Sequence, residues 1–467
     1  MRLAIDIGGT FTDLVLEHGN ELLTKKVLTS ISEPELAVIE GVSELLEENN
    51  IKASDIKMII HGTTLATNAV IERKGAKTCF ITTSGFRDVL DIGYESRFDQ
   101  YDILIDKTMS LVPRKHRYVI DERTDVNGSI ITSIDKDQFY NLINKIKNEN
   151  FESIAVGFLH SYANPENEKI LKAFLTNELP DVEVSVSSDV CPEIREYERF
   201  TTTVVNAYIK PLMSNYLKKL DQKLLNSGFN CPLLLMTSGG TLTNISSACN
   251  NPVRLVESGP AGGAILATSI AEDMNLSKVI SFDMGGTTAK ITIIENKKAI
   301  KAREFEVDRK ARFKKGSGYP LRIPVIEMVE IGAGGGSIAR VNKLEQIITG
   351  PDSAGSFPGP ACYSNGGSMP TITDADLVIG KIDPNNFAGG KIKLSKQLAD
   401  KAITENIVKF VNIDTNIAAL AISEIVDETM SNAARVHTVE QGHETSNRTL
   451  IAFGGAAPLH IARVAEK

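Results

Sequence analysis

The sequence predicts a mixed α/β protein built from two related halves, and three observations carry that reading. Short β-prone runs at residues 3–7, 13–17 and 22–28 precede a stretch in which helical and strand-like segments alternate. Near Ser277 the pattern restarts, with runs at 279–282, 291–294 and 305–307 repeating the opening triplet. Each triplet carries an acidic residue, paired glycines and a threonine between its first two runs: Asp6-Ile7-Gly8-Gly9-Thr10 and Asp283-Met284-Gly285-Gly286-Thr287. Three consecutive β-runs followed by α/β alternation imply a sheet with mixed, then parallel, strands.

The elements follow in order. Gly8-Gly9 and His18-Gly19-Asn20 break the first three runs. A helix is expected over 34–48, opened by Ser32 with Glu35 three residues on. A strand over 58–61, a helix over 63–73 and a strand over 77–82 come next. Strands at 154–158, 182–187 and 233–236 are separated by helical stretches near 136–149, 166–178 and 196–226. At the start of the last of these, the charge run Glu193, Arg195, Glu196, Glu198 and Arg199 reads as one solvated, ion-paired helix face. The segment 332–390 is rich in Gly, Pro and Ser and poor in periodicity. A long helix spans 416–439, with Ala418, Ile422, Ile425, Thr429, Ala433 and Val436 at helical spacing. A strand at 449–453 then feeds a helix through Gly454-Gly455. The expected domains are 1–195 and 196–467, the second carrying a Gly/Pro-rich insertion at about 332–390.

Composition removes several functional classes. The 467 residues hold 51 Lys and Arg against 59 Asp and Glu, a net charge of −8, which argues against nucleic acid or anionic membranes as partners. No apolar run approaches the ~20 residues of a membrane span, and Asp6 interrupts the apolar opening that a signal peptide needs. Cys79, Cys191, Cys231, Cys249 and Cys362 lack CxxC spacing, so a reducing, cytoplasmic setting is expected.

The chemistry-bearing motifs are the two Asp-x-Gly-Gly-Thr hairpins. Paired glycines at a turn expose backbone N–H groups that, with neighbouring hydroxyls, hold phosphate oxygens. The carboxylate at the strand end reaches a hydrated Mg²⁺, which keeps several waters and needs few protein ligands. One such octet alone is equally a plain β-hairpin; its repetition in the same strand–turn–strand setting favours two half-sites for one nucleotide. Phe453-Gly454-Gly455-Ala456-Ala457-Pro458 is a third element, suited to close approach of backbone to a base or ribose. No GxxxxGK[ST] phosphate loop is present.

These three elements resemble the phosphate-1, phosphate-2 and adenosine motifs of the acetate kinase/sugar kinase/Hsc70/actin superfamily. The resemblance implies two ribonuclease-H-like (actin-like ATPase) domains around a nucleotide cleft. It assigns Asp6 and Asp283 to catalysis and to Mg²⁺, held through water. Gly8, Gly9, Thr10, Thr12, Gly285, Gly286, Thr287 and Thr288 would serve the phosphates of ATP, and Gly454 and Gly455 the adenosine.

The stretches between are similar to the hydantoinase A/oxoprolinase family. They include His61-Gly62-Thr63-Thr64-Leu65-Ala66-Thr67-Asn68, Ile81-Thr82-Thr83-Ser84-Gly85-Phe86-Arg87-Asp88 and Glu257-Ser258-Gly259-Pro260-Ala261-Gly262-Gly263. Further on come Glu330-Ile331-Gly332-Ala333-Gly334-Gly335-Gly336-Ser337, Gly350-Pro351-Asp352-Ser353-Ala354-Gly355, Pro358-Gly359-Pro360-Ala361-Cys362-Tyr363 and Thr371-Ile372-Thr373-Asp374-Ala375-Asp376. The resemblance implies ATP-dependent phosphorylation of the carbonyl oxygen of a cyclic amide (hydantoin, 5-oxoproline or lactam). It equally admits the nucleotide-binding subunit of a ketone carboxylase. Rival readings are a small-molecule kinase and a nucleotide switch without substrate chemistry. A separate hydantoinase B-type subunit is the expected partner, and self-association is compatible with the sequence. Hydantoinase A-type chains usually continue well past this point, whereas this sequence stops at Lys467. A truncated chain, a split protein and a member lacking the segment are all consistent with that.

Substrate-side candidates are His61, Thr63, Thr64, Thr67 and Asn68 at a helix start, where the alternative is an N-cap beside a solvated histidine. Arg97 is either a carboxylate clamp or a surface ion pair. Gly334 and Gly335 belong to a loop for close substrate or phosphate approach, or to a linker. His437 and His443 read as solvated histidines near a helix end, because their spacing of six does not give a shared helical face. Cys191 and Cys362 have no histidine partner legible in the sequence that would make either a nucleophile.

Overall fold

Alternation builds the first strand: Leu3, Ile5 and Ile7 are buried while Arg2, Ala4 and Asp6 face outward. In the computed structural model, which describes residues 1–8, 11–30, 33–105, 107–310, 315–388, 390 and 392–467, the chain divides into two compact units. Unit 1 comprises residues 1–262 and 301–325, and unit 2 comprises 263–300 and 326–467.

Unit 1 opens as a meander of β1 (Arg2–Ile7), β2 (Phe11–His18) and β3 (Glu21–Leu28), all antiparallel. Helix α1 (Pro34–Glu48) packs on it through Val38, Val42 and Leu45. Gly41 lets it approach closely, since a Cβ there would meet Leu14 Cδ1 at 2.7 Å. The helix is entered from Glu33; Ser32, the expected cap, lies outside the described residues. Strand β4 (Met58–Thr63) joins β1 in parallel and leads into α2 (Leu65–Ile71). A second, all-parallel sheet holds β5 (Thr78–Thr83), β6 (Arg117–Ile120), β7 (Ser153–Gly157) and β8 (Glu183–Val186) in the order β8-β7-β5-β6. Between these strands run α3 (Lys136–Lys147) and α4 (Glu166–Glu178).

The long helix α5 (Glu196–Asn226) supports both of these sheets. Phe200 packs on Phe80 of β5 with ring centres 5.3 Å apart and planes inclined at 56°, Gly157 of β7 makes room for that ring, and Tyr208, Met213 and Leu217 join the core under β1 and β4. The expected boundary after residue 195 therefore falls inside unit 1. The expected solvated face of this helix is corrected: Glu198 and Arg199 are buried. Arg199 donates to the carbonyls of Glu193 (2.8 Å) and Phe158 (3.0 Å) and to Ser187 Oγ (3.3 Å). Strands β9 (Leu233–Met236) and β10 (Leu242–Asn244) complete the first sheet, whose order is β10-β9-β4-β1-β2-β3. Helix α6 (Ser258–Asp273) follows.

Unit 2 repeats the opening. Strand β11 (Lys278–Met284) pairs antiparallel with β12 (Ala289–Glu295), and β13 (Lys298–Ala299) turns back on β12. The third run expected at 305–307 is a strand, but it pairs with Tyr319–Leu321 in unit 1. Its place along β12 is taken by β14 (Met328–Ile331). The weakly periodic segment after it holds a hairpin of β15 (Ser337–Val341) and β16 (Ile347–Ser353), and α7 (Ile372–Val378), opened by a Thr371/Asp374 capping box. Helix α8 (Thr415–Glu440) buries Ala418, Ile422, Val426 and Met430 together with the polar Ser423, Asp427 and His437. Val436, expected on the inner face, is exposed. Strand β17 (Thr449–Phe453) joins β11 in parallel and leads to α9 (Ala457–Glu466). Among the described residues no helix is long and apolar enough to cross a membrane.

Candidate functional site

Asp6 and Asp283 occupy matching positions. Each is the penultimate residue of the central strand of its sheet, with an antiparallel hairpin on one side and a parallel strand on the other. A glycine lies against each carboxylate. A Cβ on Gly62 would stand 2.8 Å from Asp6 Oδ1, and one on Gly454 would stand 2.7 Å from Asp283 Oδ1. The internal repeat seen in the sequence thus extends to a glycine from the parallel side of each half.

In unit 1 Asp6 is exposed at the strand end. Thr64 ties down the next residue, its N–H and hydroxyl donating to Ile7 O at 3.0 and 3.1 Å. Asn68 Nδ2 donates to Thr64 Oγ1 at 3.4 Å. Gly259, in the first turn of α6, faces the same carboxylate, with a Cβ there 3.7 Å from Asp6 Oδ1. Ser258 Oγ pins that helix start to Thr63 O at 3.1 Å, and Thr67 Oγ1 accepts from the N–H of Glu257. Gly8 O accepts from Thr29 Oγ1 at 3.0 Å, and Thr29 in turn bonds the fully buried Thr12. Thr12 therefore braces the hairpin from inside. Gly9 and Thr10 lie outside the described residues.

The other substrate candidates separate. His61 is fully buried: its Nδ1 lies 3.2 Å from Ile5 O and its Nε2 2.8 Å from Tyr216 Oη. Burial pushes its pKa down to about 4, against the backbone hydrogen bond that raises it. It is a neutral core histidine, not a solvated one. Thr63 is buried and accepts from the N–H of Leu65. Arg97 is exposed and forms no hydrogen bond or ion pair with these residues among the described ones.

In unit 2 three glycine segments, far apart in sequence, meet. Gly285 N–H donates to Thr288 O at 3.1 Å and closes the hairpin, leaving Gly286 and Thr287 exposed. Beneath it, the N–H groups of Gly335 and Gly336 donate to the carbonyls of Gly285 (3.0 Å) and Gly286 (2.6 Å). A Cβ on Gly334 would meet the Thr287 backbone at 2.5 Å, so only glycine fits. Gly334 and Gly335 are buried; they support the hairpin from below and are neither a linker nor an open loop. Ala456 N–H donates to Met284 O at 2.9 Å and brings the exposed Gly454-Gly455 alongside. Burial raises the Asp283 carboxyl pKa, and Lys290, directly across in β12, lowers it.

Several contacts carry no legible signal in the sequence. Thr373 closes the support, its N–H and hydroxyl both donating to Gly335 O at 2.8 Å; it belongs to the family-like stretch 371–376, which does not reveal that contact. His460 is fully buried between Asp376 and Asp427, and nothing in a single chain pairs those positions. His437, expected to be solvated, is buried, and burial lowers its pKa to about 4. His443 lies 3.4 Å from Glu295. Cys191 and Cys362 are buried, which raises both thiol pKa values, that of Cys191 to about 11, and keeps them protonated.

Comparison with known proteins decides the lineage. Residues 2–179 match the hydantoinase/oxoprolinase N-terminal region and residues 199–467 match hydantoinase/oxoprolinase. The chain belongs to the hydantoinase/oxoprolinase family. It is 41% identical to an uncharacterized protein of Methanocaldococcus jannaschii, over all of this chain and 69% of that one. It is 33% identical to caprolactamase subunit alpha of Pseudomonas jessenii, over all of this chain and 67% of that subunit. The crystal structure of the ATP-dependent caprolactamase from that organism superimposes with a TM-score of 0.85. A nucleotide-free acetone carboxylase structure superimposes with a TM-score of 0.84 at 25% identity, over all of this chain and 66% of that one. The chain thus spans about two thirds of the length of these family members, and its mixed α/β units carry the ribonuclease-H-like, actin-like ATPase type of fold expected from the sequence.

Proposed function

We propose that this hydantoinase/oxoprolinase-family chain binds Mg·ATP through its Asp-Gly-Gly-Thr hairpins and phosphorylates the carbonyl oxygen of a cyclic amide. The observation that carries the reading is the matched pair of carboxylates, each at a central strand end with a glycine against it.

The residues fit a nucleotide with its cation. A Cβ on Gly285 or Gly286 would meet nothing within 4 Å, so the outer surface of that hairpin is clear for phosphate oxygens. Asp283, whose charge burial disfavours, gains from a cation nearby. Bound with ATP, Mg²⁺ neutralises charge on the phosphate oxygens. The chain's own part is to aim backbone N–H groups and the Thr287 and Thr288 hydroxyls at those oxygens and to hold the carboxylates fixed.

Amide resonance makes an unstrained lactam carbonyl a poor electrophile. In the proposed step the carbonyl oxygen attacks the γ-phosphorus, forming an O–P bond as the bond to ADP breaks. Water then adds to the activated carbon, the ring C–N bond breaks as nitrogen takes a proton, and a second water releases phosphate. A partner polypeptide of the hydantoinase B type would complete the later steps, in line with a relative that is itself named a subunit. The likeness to acetone carboxylase supports a second reading, in which the same transfer traps a ketone enolate as its phosphate.

The test is ATP turnover measured over hydantoins, 5-oxoproline, lactams and ketones, with and without a co-purified partner chain. ADP release stimulated by a cyclic amide supports the first reading and by a ketone the second. Turnover stimulated by a protein alone would instead indicate a nucleotide switch.

A further inference from the structure

Among the buried charged groups that the proposed phosphoryl transfer does not use is one in unit 2, close to the hairpin. His460 is fully buried, with Nδ1 2.8 Å from Asp427 Oδ1 and Nε2 3.0 Å from Asp376 Oδ2. Both carboxylates are themselves buried. Asp427 takes the hydrogen bond of Nδ1 and the Asp376 carboxylate lies within ion-pair distance of Nε2, so two buried anions beside one ring favour its imidazolium form. From the third side Lys381 Nζ lies 3.7 Å from Asp376 Oδ1 and donates to Ser423 Oγ at 2.8 Å. Ser423 Oγ donates in turn to Asp376 Oδ1 at 3.2 Å. Two cations thus balance two anions across α7, its following turn, α8 and α9.

The connections of this cluster give it a direction. Asp376 lies one turn along α7 from Thr373, which holds Gly335 O under the phosphate hairpin. His460 lies one turn along α9 from the Gly454-Gly455 loop, itself anchored to the hairpin by Ala456 N–H to Met284 O. We infer that His460, held as an imidazolium by Asp376 and Asp427, is a positioning residue that sets the Gly454-Gly455 loop against the Asp283–Gly286 hairpin for nucleotide. The inference rests on reading that loop and hairpin as nucleotide-binding. Loss of the proton would leave two buried carboxylates facing a neutral ring, and the helix carrying the loop would shift to relieve them.

Burial opposes the imidazolium, but the hydrogen bonds and charges of Asp376 and Asp427 outweigh it and raise the pKa to about 9. The contribution is therefore complete below the ordinary histidine range and is lost as pH rises through about 9.

The test measures Mg·ATP affinity from pH 6 to pH 10, with thermal unfolding in parallel, for wild type, Asp427→Asn and His460→Gln. Wild type is expected to hold its affinity through neutral pH and lose it near the alkaline end. Asp427→Asn should move that loss to lower pH by about one unit or more. His460→Gln should bind weakly throughout, without an alkaline limb. Should either variant fail to fold, ¹⁵N resonances of the wild-type His460 ring still decide, since a neutral ring at pH 7.5 overturns the proposal. Unchanged pH profiles in variants with lowered unfolding temperatures would reduce His460 to a structural role. Wild type that binds no Mg·ATP at any pH would overturn the nucleotide reading itself, and this inference with it.

Discussion

Gly454 stands so close to Asp283 that a methyl group there would lie 2.7 Å from the carboxylate and 2.6 Å from the carbonyl oxygen of Met284, and its φ is +88°. Two constraints, space and backbone sign, select the same residue. Gly454→Ala should lower stability by about 1–3 kcal/mol from backbone strain alone and also displace the Asp283 carboxylate. Gly286→Ala meets nothing within 4 Å and has no positive φ. It should leave the unfolding temperature unchanged while weakening Mg·ATP binding. Calorimetric unfolding and nucleotide titration of the two variants separate these effects, and equal losses of stability would contradict the packing argument.

Asp283 is expected to cost stability in exchange for function. Burial raises its carboxyl pKa, so the folded state resists the charged form, and the penalty grows as pH rises from the unfolded value through the raised one. Asp283→Asn should unfold at the same or a higher temperature than wild type at pH 7.5, yet lose about 10²–10³-fold in ATP turnover. Asp6→Asn should lose turnover similarly without the gain in stability, because Asp6 is exposed. Full turnover in both variants would overturn the proposed nucleotide roles of both carboxylates.

His61 behaves as a stability element in the geometry. With Nδ1–H donating to Ile5 O, its Nε2 accepts from the Tyr216 hydroxyl. Tyr216→Phe leaves that nitrogen unpaired in the core and should cost about 1–3 kcal/mol. The pKa of about 4 means that the unfolded chain takes up the proton first. Stability is therefore intact above the ordinary histidine pKa and is lost as pH falls toward 4. Urea unfolding across that window should show the slope, and nucleotide affinity of folded Tyr216→Phe should match wild type.

What the sequence revealed, and what it hid, follows from the range of the forces involved. Strand β1 is legible because alternation is local: Leu3, Ile5 and Ile7 point one way whatever lies beyond. The hairpins are legible because Asp, Gly, Gly and Thr are contiguous. Sheet membership is not local, and so the strand at 305–307, correctly expected to be extended, pairs in unit 1 while Met328–Ile331 flanks β12. The inner face of α8 was equally hidden. Asp427 and Ser423 look solvent-facing until His460 and Lys381 arrive from other elements to satisfy them. Gly334 and Gly335 announced a close approach of backbone; that the approach is to Gly285 and Thr287 needed the fold.

Arg199 shows the same limit and offers the largest single effect on unit 1. Its charge run reads as surface, yet its side chain is 1% exposed. Its guanidinium lies 5.3 Å from the Tyr162 ring centre and 5.0 Å from that of Phe200 while donating to two carbonyls and a serine. Glu168, the main charge opposing its burial penalty, is buried as well and accepts from Phe158 N–H, Ser187 Oγ and Ser188 N–H. Arg199→Ala would leave the Glu193 and Phe158 carbonyls without this donor and remove the cation near Glu168, which keeps its own three donors, at a cost of about 1–3 kcal/mol for each group left unsatisfied. Arg199→Lys should recover only part of the loss, because an ammonium cannot span the planar fork of acceptors or stack between the rings. Chemical denaturation of the two variants checks the order wild type, Lys, Ala. A lysine variant as stable as wild type would show that charge alone, without the fork, holds the end of β7 to α5.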